Sequence, residues 1–347
     1  MKFDLDNLIR ENVKALKPYA SARDEYVATG AKMVFLDANE NPFENGVNRY
    51  PDPHQRTLKA VLASQKEVTE PQLLLGNGSD EVLDLLFRAF CEPNRDNVIS
   101  LPPTYGMYKV LAGTNAIENK EVLLNDGFQP NVDAILNTVD KDTKLLFLCS
   151  PNNPSGNLMD ASKIEKLLIN FPGLVVIDEA YIDFTDEVSW VRRLHDFPNL
   201  VVTQTLSKAY GMAAIRLGIC YASESIIAVL KKIKPPYNVN ELTQKRALAG
   251  VNDQTKVRQQ VAKIIQAREK LETLLSEIPY VHEVFESKAN FILVRVDDAD
   301  KRYGQLLQKG IVVRNRSLQP RCENTLRFTL GTEEENEELL KALKTIA

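Results

Sequence analysis

The sequence predicts an α/β protein in which a large, mostly parallel sheet is flanked by helices and followed by a smaller α+β domain. Through the middle of the chain, short apolar runs alternate with amphipathic stretches of helical length, the pattern of parallel strands joined by helices. A chain of 347 residues is also longer than one ordinary core requires, so a second unit is expected. The pattern changes at the double proline 235–236, which ends the helical stretch before it.

The candidate strands of the large sheet are six apolar runs at 97–101, 120–124, 143–149, 174–178, 200–206 and 217–222. Amphipathic spacing predicts helices at 79–90 and 161–171. After the double proline we expect one long charged helix over roughly 241–278, and then strand-like segments at 281–287, 290–296, 310–316 and 325–330. The predicted domains are an N-terminal arm with a small-domain segment at 1–45, the large domain at 46–238 and the small C-terminal domain at 239–347.

Composition and charge argue against several classes of protein. The formal net charge of −4 provides no basic surface for nucleic acid. The four cysteines form no C-x-x-C pair and the three histidines are scattered, so neither a disulfide framework nor a metal site is expected. The N-terminus has no apolar core of signal-peptide length, and no apolar run approaches a membrane span. We therefore expect a cytoplasmic protein without metal or membrane contacts.

Two turns at predicted strand ends could bind a ligand. Gly76-Asn77-Gly78 leads into Ser79 and Asp80 at the start of a helix, where backbone amides favour an anion such as phosphate. An ordinary glycine turn with Ser79 as the helix cap would have the same sequence. In SPNNPSG (150–156), Asn153 could hold its amide at a ligand oxygen or could simply close a rigid turn.

A carboxylate and an amine follow two later strands. Asp178 ends the run LVVID and would need a cationic partner if buried, for example a protonated ring nitrogen; an exposed acid is equally compatible with the sequence. Lys208 follows LVVTQTL, and burial would favour the neutral amine that condenses with an aldehyde. A lysine that extends back to solvent is the commoner outcome. Ser207 and Arg216 could hold a phosphate of the same ligand.

The order of these groups favours the functional interpretation. A glycine turn, an asparagine turn, an aspartate, a lysine and an arginine appear at successive strand ends. Ligands of open α/β sheets bind outside the carboxyl ends of the strands, so these groups are expected to converge. Chance is a poor explanation for that order.

This constellation resembles the pyridoxal-phosphate-dependent aminotransferases of the aspartate-aminotransferase fold (fold type I), over nearly the whole chain. The shared marks are GSDE (78–81), SPNNPSG, IDEAY (177–181) and TLSK with Arg216. More specific segments are similar to histidinol-phosphate aminotransferases: KPYASAR (17–23), DANENP (37–42), RYPDP (49–53), PPTYGMY (102–108) and VVRN with TLRFTLG (312–331). Ser155 and Ala213-Ala214 are small departures from the usual pattern.

The resemblance implies a pyridoxal 5'-phosphate site in the large domain. By position, Lys208 forms the Schiff base with the cofactor and then moves the substrate proton, and Asp178 keeps the ring nitrogen protonated. Asn153 and Tyr181 are expected to bond to the ring hydroxyl oxygen, and Tyr105 is expected to stack on the ring. The residues implied for the cofactor phosphate are Ser79, Asp80, Ser207, Arg216 and, from a second subunit, Tyr50. Those implied for the substrate are Tyr19, Asn39, Arg314 and Arg327.

The implied activity is that of a homodimeric transaminase of histidine biosynthesis. L-Histidinol phosphate and 2-oxoglutarate would give imidazole acetol phosphate and glutamate, so one site must accept a phosphate ester and a dicarboxylate. Arginine suits both anions, and we expect Arg314 and Arg327 to bind them, with Arg316 and Arg321 solvated in a loop. The alternatives are an aromatic-amino-acid aminotransferase, a threonine-phosphate decarboxylase, or a cofactor-binding regulator, which would usually carry a basic DNA-binding segment.

Overall fold

The structure is a computed structural model that describes residues 3–17 and 34–346, and a seven-stranded sheet forms its larger part. The strand order is β1-β7-β6-β5-β4-β2-β3. Strand β7 is antiparallel to both of its neighbours, and the remaining pairs are parallel. The predicted mostly parallel sheet is therefore confirmed. The strands are β1 Leu73–Asn77, β2 Asn97–Ser100, β3 Glu118–Glu121, β4 Thr143–Cys149, β5 Leu174–Asp178, β6 Leu200–Thr205 and β7 Leu217–Ala222.

Helices cover both faces of this sheet because both faces of its strands are apolar. In β5, Val175 and Ile177 belong to one buried core, and Leu174 and Val176 to the core on the opposite face. Such strands read as continuous apolar runs, as LVVI does here. The helices of this part of the chain are α1 Glu11–Ala15, α2 Arg56–Lys66, α3 Gly78–Phe90, α4 Met107–Thr114, α5 Val132–Thr138, α6 Ala161–Asn170 and α7 Glu224–Ile233.

The strand predicted at 120–124 lies earlier in the chain. β3 occupies Glu118–Glu121, and its pairing with β2 ends where Glu121 faces Ser100. It is an edge strand of polar, partly exposed residues, so hydrophobicity alone did not mark it. The apolar residues that follow leave the sheet, and Leu124 is fully buried in the core beside it.

A second sheet of four antiparallel strands lies in the C-terminal part of the chain, in the order β10-β11-β9-β8. Leu326 and Phe328 of β11 belong to a core that the helices of this part cover, which leaves Thr325 and Arg327 on the opposite face. The elements are α8 Glu241–Asn252, α9 Gln254–Leu275, β8 Val281–Val284, β9 Phe291–Val296, α10 Ala299–Gln308, β10 Arg314–Asn315, β11 Thr325–Thr329 and α11 Glu333–Thr345.

The single long helix predicted over 241–278 is wrong, because the chain breaks between α8 and α9 at Asp253. The Asp253 carboxylate accepts a hydrogen bond from the Lys256 backbone N–H at 3.2 Å and so begins α9 as its N-terminal cap. Ala247 and Val251 of α8 lie in a core of the large sheet. The domain boundary at 238/239 remains a prediction. Helix α8 follows that boundary in the chain, yet it packs against a core of the large sheet. None of the helices described is both long and apolar enough to span a membrane.

Strand β7 and the start of α3 cross at very close range, which gives a stability test. A Cβ atom at Gly218 would lie 2.2 Å from the Ser79 backbone nitrogen and 2.3 Å from the Gly78 carbonyl carbon. Backbone atoms cannot rotate away, so we expect Gly218→Ala to lower the free energy of unfolding by about 1–3 kcal/mol, the usual cost of overpacking. Urea unfolding of the purified protein measures this change.

Gly113→Ala in α4 is the matched control, because a Cβ atom there meets no other atom within 4 Å. It should leave stability unchanged or raise it by up to about 1 kcal/mol, as alanine is the better helix former. A Gly218→Ala protein that unfolds at the wild-type urea concentration would contradict the close crossing.

Candidate active site

The carboxyl ends of three parallel strands bring the predicted motifs to one edge of the large sheet. Cys149 at the end of β4 is paired with Asp178 at the end of β5, and Asp178 is paired with Thr203 near the end of β6. The segments that follow these strands carry Asn153, Tyr181, Ser207 and Lys208. The structure thus places these side chains around one cleft, as parallel strands require.

Asp178 is a buried carboxylate with neutral partners. Its Oδ2 accepts a hydrogen bond from the Tyr108 hydroxyl at 2.8 Å, and its Oδ1 accepts one from the Ala180 backbone N–H at 3.2 Å. Burial raises the pKa of Asp178, and these hydrogen bonds oppose the rise. Within the described part of the chain no lysine or arginine forms an ion pair with it. A protonated nitrogen on a ligand would supply the missing cation.

Tyr108 is a site residue that the sequence analysis missed. It lies in the first turn of α4, its ring stacks on Phe147 at 4.8 Å, and Tyr105 packs edge-to-face against it at 5.6 Å. Burial raises the pKa of the Tyr108 phenol far above its ordinary value, so the hydroxyl keeps its proton and acts as a donor. The signal was present in PPTYGMY, where a second tyrosine follows Tyr105 by three residues.

Asn152 is a second residue that the sequence analysis missed, and it joins two turns of the cleft. Its side-chain amide donates to the Pro103 carbonyl at 2.9 Å and to Ser155 Oγ at 2.7 Å, while its oxygen accepts from the Thr104 hydroxyl at 3.0 Å. Asn152 is fully buried. It therefore fixes the turn that carries Tyr105 against the turn that carries Asn153.

The N-terminal end of α3 lies beside Arg216. Gly78 has φ +79°, and its N–H donates to the Arg216 carbonyl at 3.0 Å. A Cβ atom at Gly78 would be 2.6 Å from the end of the Arg216 side chain, which could move away, so it is the positive φ that favours glycine here. The N–H groups of the first turn, at Ser79 and Asp80, thus lie at the same helix end as the Arg216 guanidinium. Such a place favours an anion.

Asp80 and Ser207 complete this end of the cleft. Asp80 accepts a hydrogen bond from the Tyr105 hydroxyl at 3.0 Å, and its second oxygen lies 3.8 Å from Arg216. Ser207 follows β6, and the neighbouring strand β7 begins just after Arg216. The Ser207 backbone N–H donates to Thr205 Oγ1 at 3.1 Å. Ser79, Asp80, Ser207 and Arg216 therefore lie together at adjoining strand ends, in an arrangement that could hold a phosphate.

Lys208 lies between the two charged ends of the cleft. Its Nζ is 5.7 Å from the centre of the Tyr181 ring, and Tyr181 is buried with its edge against Phe291. Desolvation lowers the pKa of Lys208, and the positive charge of Arg327 lowers it further, while the carboxylate of Asp178 acts in the opposite direction. The lowered pKa shifts the amine toward its neutral, nucleophilic form. Lys208 as a whole residue is exposed, so water still reaches it and weakens this shift.

Arg327 extends from β11 of the small sheet toward the turn of Asn153. Its guanidinium lies 5.0 Å from the Phe291 ring centre and donates to the Asn153 side-chain oxygen. Burial lowers the pKa of Arg327 to about 10, with a further contribution from Arg316. Its Nε is buried without a hydrogen-bond partner in the described part of the chain. Arg327 is therefore prepared to receive an anion.

The other predicted arginines lie close to Arg327. Arg314 is exposed and directly opposite Arg327 in the β10–β11 ladder. The expectation that Arg316 is a solvated loop residue is wrong, because its side chain is partly buried and its Nε is fully so. Arg321 also departs from that expectation, since it pairs with Asp126 and buries its Nε.

The remaining predicted residues are not joined to this cleft within the described chain. Tyr50 is half exposed, and its ring stacks on Tyr237 at 4.6 Å. With Asn39 it lines a separate cavity of about 420 Å³ beside the start of α8. Tyr19 lies outside the described residues. The assigned roles of Tyr19, Asn39 and Tyr50 therefore stay predictions.

The comparison with known proteins agrees with this geometry. The family model for aminotransferase class I and II matches residues 34–343. A histidinol-phosphate aminotransferase of Flavobacterium johnsoniae is 63% identical over 345 residues, which cover 99% of each chain.

Solved structures share the fold at lower identity. The histidinol-phosphate aminotransferase of Clostridium acetobutylicum superposes with a TM-score of 0.80 at 24% identity, covering 86% of this chain and 91% of that one. An L-threonine-O-3-phosphate decarboxylase of Porphyromonas gingivalis gives 0.74, also at 24% identity and over the same shares. The fold alone does not separate these two activities, whereas the full-length sequence match does. The chain belongs to the aminotransferase class I and II family and, within it, to the histidinol-phosphate aminotransferases.

Proposed function

We propose that this protein transfers the amino group of L-histidinol phosphate to 2-oxoglutarate, with pyridoxal 5'-phosphate as its cofactor. The observation that carries the proposal is that the Lys208 amine feels the charges of both the buried Asp178 carboxylate and the partly buried Arg327 guanidinium. An aromatic-amino-acid aminotransferase and a threonine-phosphate decarboxylase are the alternatives that a substrate panel tests.

The residues of the cleft fit the cofactor's separate groups. Its phosphate suits the N-terminal end of α3 with Ser79, Asp80, Ser207 and Arg216. Its basic ring nitrogen suits Asp178, which has no cation of its own among the described residues. Its aldehyde suits the amine of Lys208. Tyr105, Asn153 and Tyr181 line the space between these positions and are proposed to contact the ring.

The chain's own groups account for the proton movements. When bound, the cofactor supplies an aldehyde and an electron-accepting ring. Asp178, fixed by Tyr108, holds a proton on the ring nitrogen. The neutral amine of Lys208 takes a proton from the substrate Cα and later returns one. Arg327 orients the anionic end of the substrate, so that the reacting carbon faces Lys208.

A homodimer is part of the proposal, because the family resemblance assigns Tyr50 to the cofactor phosphate of a second subunit. Tyr50 stacks on Tyr237 near the start of α8. A two-fold axis would carry Tyr50 to the phosphate end of the partner's cleft, and the exchange would be reciprocal. We also propose that the enzyme acts in the cytoplasm, where the rest of amino-acid synthesis takes place.

Replacement of Lys208 tests the chemistry. We expect Lys208→Ala to abolish turnover and to lose the covalent cofactor adduct that borohydride traps in the wild-type enzyme, because no other described amine lies beside Asp178. Peptide mass analysis after borohydride treatment measures the adduct. Lys141→Ala, at an exposed lysine far along the chain, is the control and should keep both. An adduct that survives in Lys208→Ala would move the reactive amine elsewhere.

Replacement of Arg327 tests anion recognition. Lysine keeps the charge but loses the paired N–H donors, so we expect Arg327→Lys to weaken both histidinol phosphate and glutamate, by roughly 1.5–3 kcal/mol each. The concentration dependence of each half-reaction measures this loss. Arg295→Lys is the matched control, since Arg295 lies in the same sheet over Phe285 and is paired with Glu283 at 3.2 Å. A loss confined to glutamate would contradict a shared anion site.

Mixed dimers test the role of Tyr50. Tyr50→Phe removes the hydroxyl and should slow turnover by about tenfold or more, while its ring can still stack on Tyr237. We then expect a dimer of one Tyr50→Phe and one Lys208→Ala chain to have half of wild-type activity, because one of its sites is intact. Two tags isolate the mixed dimer, and its turnover is measured.

Each arrangement of the site gives a different activity for that dimer. If Tyr50 serves its own chain, the only site with Lys208 also carries the Tyr50→Phe change, and activity stays at half of the Tyr50→Phe value. That result, with the mixed dimer confirmed by mass, would place Tyr50 outside the partner's site.

A further inference from the structure

The loop that follows β10 carries buried polar atoms that no described residue satisfies. Such atoms are unusual in a folded protein, and each costs about 1–3 kcal/mol unless a ligand or water completes it. In the described chain they include the Nε atoms of Arg316 and Arg321, Ser317 Oγ and Gln319 Oε1, together with Nε of Arg327 on β11. The loop therefore contains several hydrogen-bonding groups that a ligand or water would have to satisfy.

Arg316 lies on the same face of the small sheet as Arg327. The Arg316 backbone N–H donates to the Thr325 carbonyl at 2.9 Å, which continues the β10–β11 ladder by one step beyond Asn315. The Asn315 side chain points the other way and donates to Asp300 of α10 at 2.6 Å. Because side chains alternate along a strand, Arg314 and Arg316 lie on the face opposite α10.

That face is the one directed at the cleft. Arg327 reaches Asn153 and the Phe291 ring from it, and Phe291 packs against Tyr181. The positive charge of Arg316 acts to lower the pKa of Tyr181 and also that of Arg327. The Arg316 guanidinium is thus part of the cleft's surroundings.

The three arginines of this face lack acidic partners. Among the described residues, no carboxylate lies within ion-pair distance of Arg314, Arg316 or Arg327. Other arginines of the small sheet and its helices are paired: Arg295 with Glu283 at 3.2 Å, and Arg302 with Asp297 at 2.8 Å. Clustered guanidinium groups repel one another, so an arrangement without acids requires an anionic ligand to balance it.

We propose that Arg316 is a specificity-determining residue that contacts the phosphate arm of the substrate together with Arg314. The proposal rests on the function proposed above and assigns the phosphate one arginine in addition to Arg314 and Arg327, which were predicted from the sequence. A phosphate monoester carries nearly two charges at neutral pH and three terminal oxygens, so it can accept donors from two guanidinium groups at once. A single carboxylate is satisfied by one such group. Arg316 should therefore favour histidinol phosphate over glutamate.

Kinetics of the two half-reactions test this selectivity. We expect Arg316→Gln to raise the apparent KM for histidinol phosphate roughly 10–100-fold, to leave kcat nearly unchanged, and to change the KM for glutamate by less than about threefold. Arg316→Lys should recover part of the affinity, because it restores the charge without the planar pair of donors. Arg321→Gln, whose wild-type side chain pairs with Asp126, is the control from the same loop.

Calorimetry with unreactive anions on the holoenzyme supplies a readout apart from turnover. The cofactor occupies the N-terminal end of α3, so inorganic phosphate then reports on the substrate's arm. Arg316→Gln should weaken phosphate at least about tenfold and leave succinate, a dicarboxylate, nearly unchanged.

The outcomes separate the two proposals. Equal weakening of phosphate and succinate, or unchanged binding of phosphate, would overturn the assigned role of Arg316. A wild-type enzyme that turns over neither histidinol phosphate nor glutamate would instead overturn the proposed function. In that case selective loss of phosphate in Arg316→Gln still supports a phosphate subsite at Arg316.

Discussion

The buried carboxylate of Asp178 is the constraint on which the rest of the cleft depends. It lies at the end of the central strand β5, where both neighbouring strands are parallel and fully buried. A charge in such a place is costly unless it is hydrogen-bonded and paired. Tyr108 and Ala180 provide the hydrogen bonds, and the Phe147 ring fixes Tyr108. On the proposed function the ligand supplies the cation, which would account for a carboxylate at this buried position.

The same principle extends across the cleft. At one end of the cleft, Arg216 lies beside the start of α3. At the other end, Arg327 lies beside Arg314 and Arg316, so guanidinium groups are present at both ends of the cleft. The chain places few acids among them. A bound ligand with an anion at each end and a basic ring in the middle would balance all of these charges together. The affinity for such a ligand and the conformational order of the cleft's side chains are therefore coupled, because each charged group has its full counter-charge only when the ligand is bound.

Much of the large sheet could be predicted from the sequence, because parallel buried strands give continuous apolar runs and each is followed by its functional residue. The roles of Tyr108 and Asn152 were missed because both depend on contacts that form only in the fold. Tyr108 bonds to Asp178, 70 residues later, and Asn152 bonds to Thr104 and Pro103, 48 and 49 residues earlier. The break at Asp253 was missed although Gly250, Asn252 and Asp253 are residue types that favour helix ends and caps. Arg316 was misassigned because a short strand inside a polar loop has too little hydrophobic pattern to reveal its face.

The large sheet and the small sheet contribute different parts of the proposed binding site. The large sheet carries the groups proposed for the cofactor at Asp178, Lys208 and Arg216. The small sheet carries Arg314 and Arg327, which are proposed for the substrate. Changes in the β10–β11 loop can therefore alter which anion is bound without moving the proton-transfer groups. A fold of this kind can support both transamination and decarboxylation, because the chemistry is fixed by one sheet and the choice of substrate by the other.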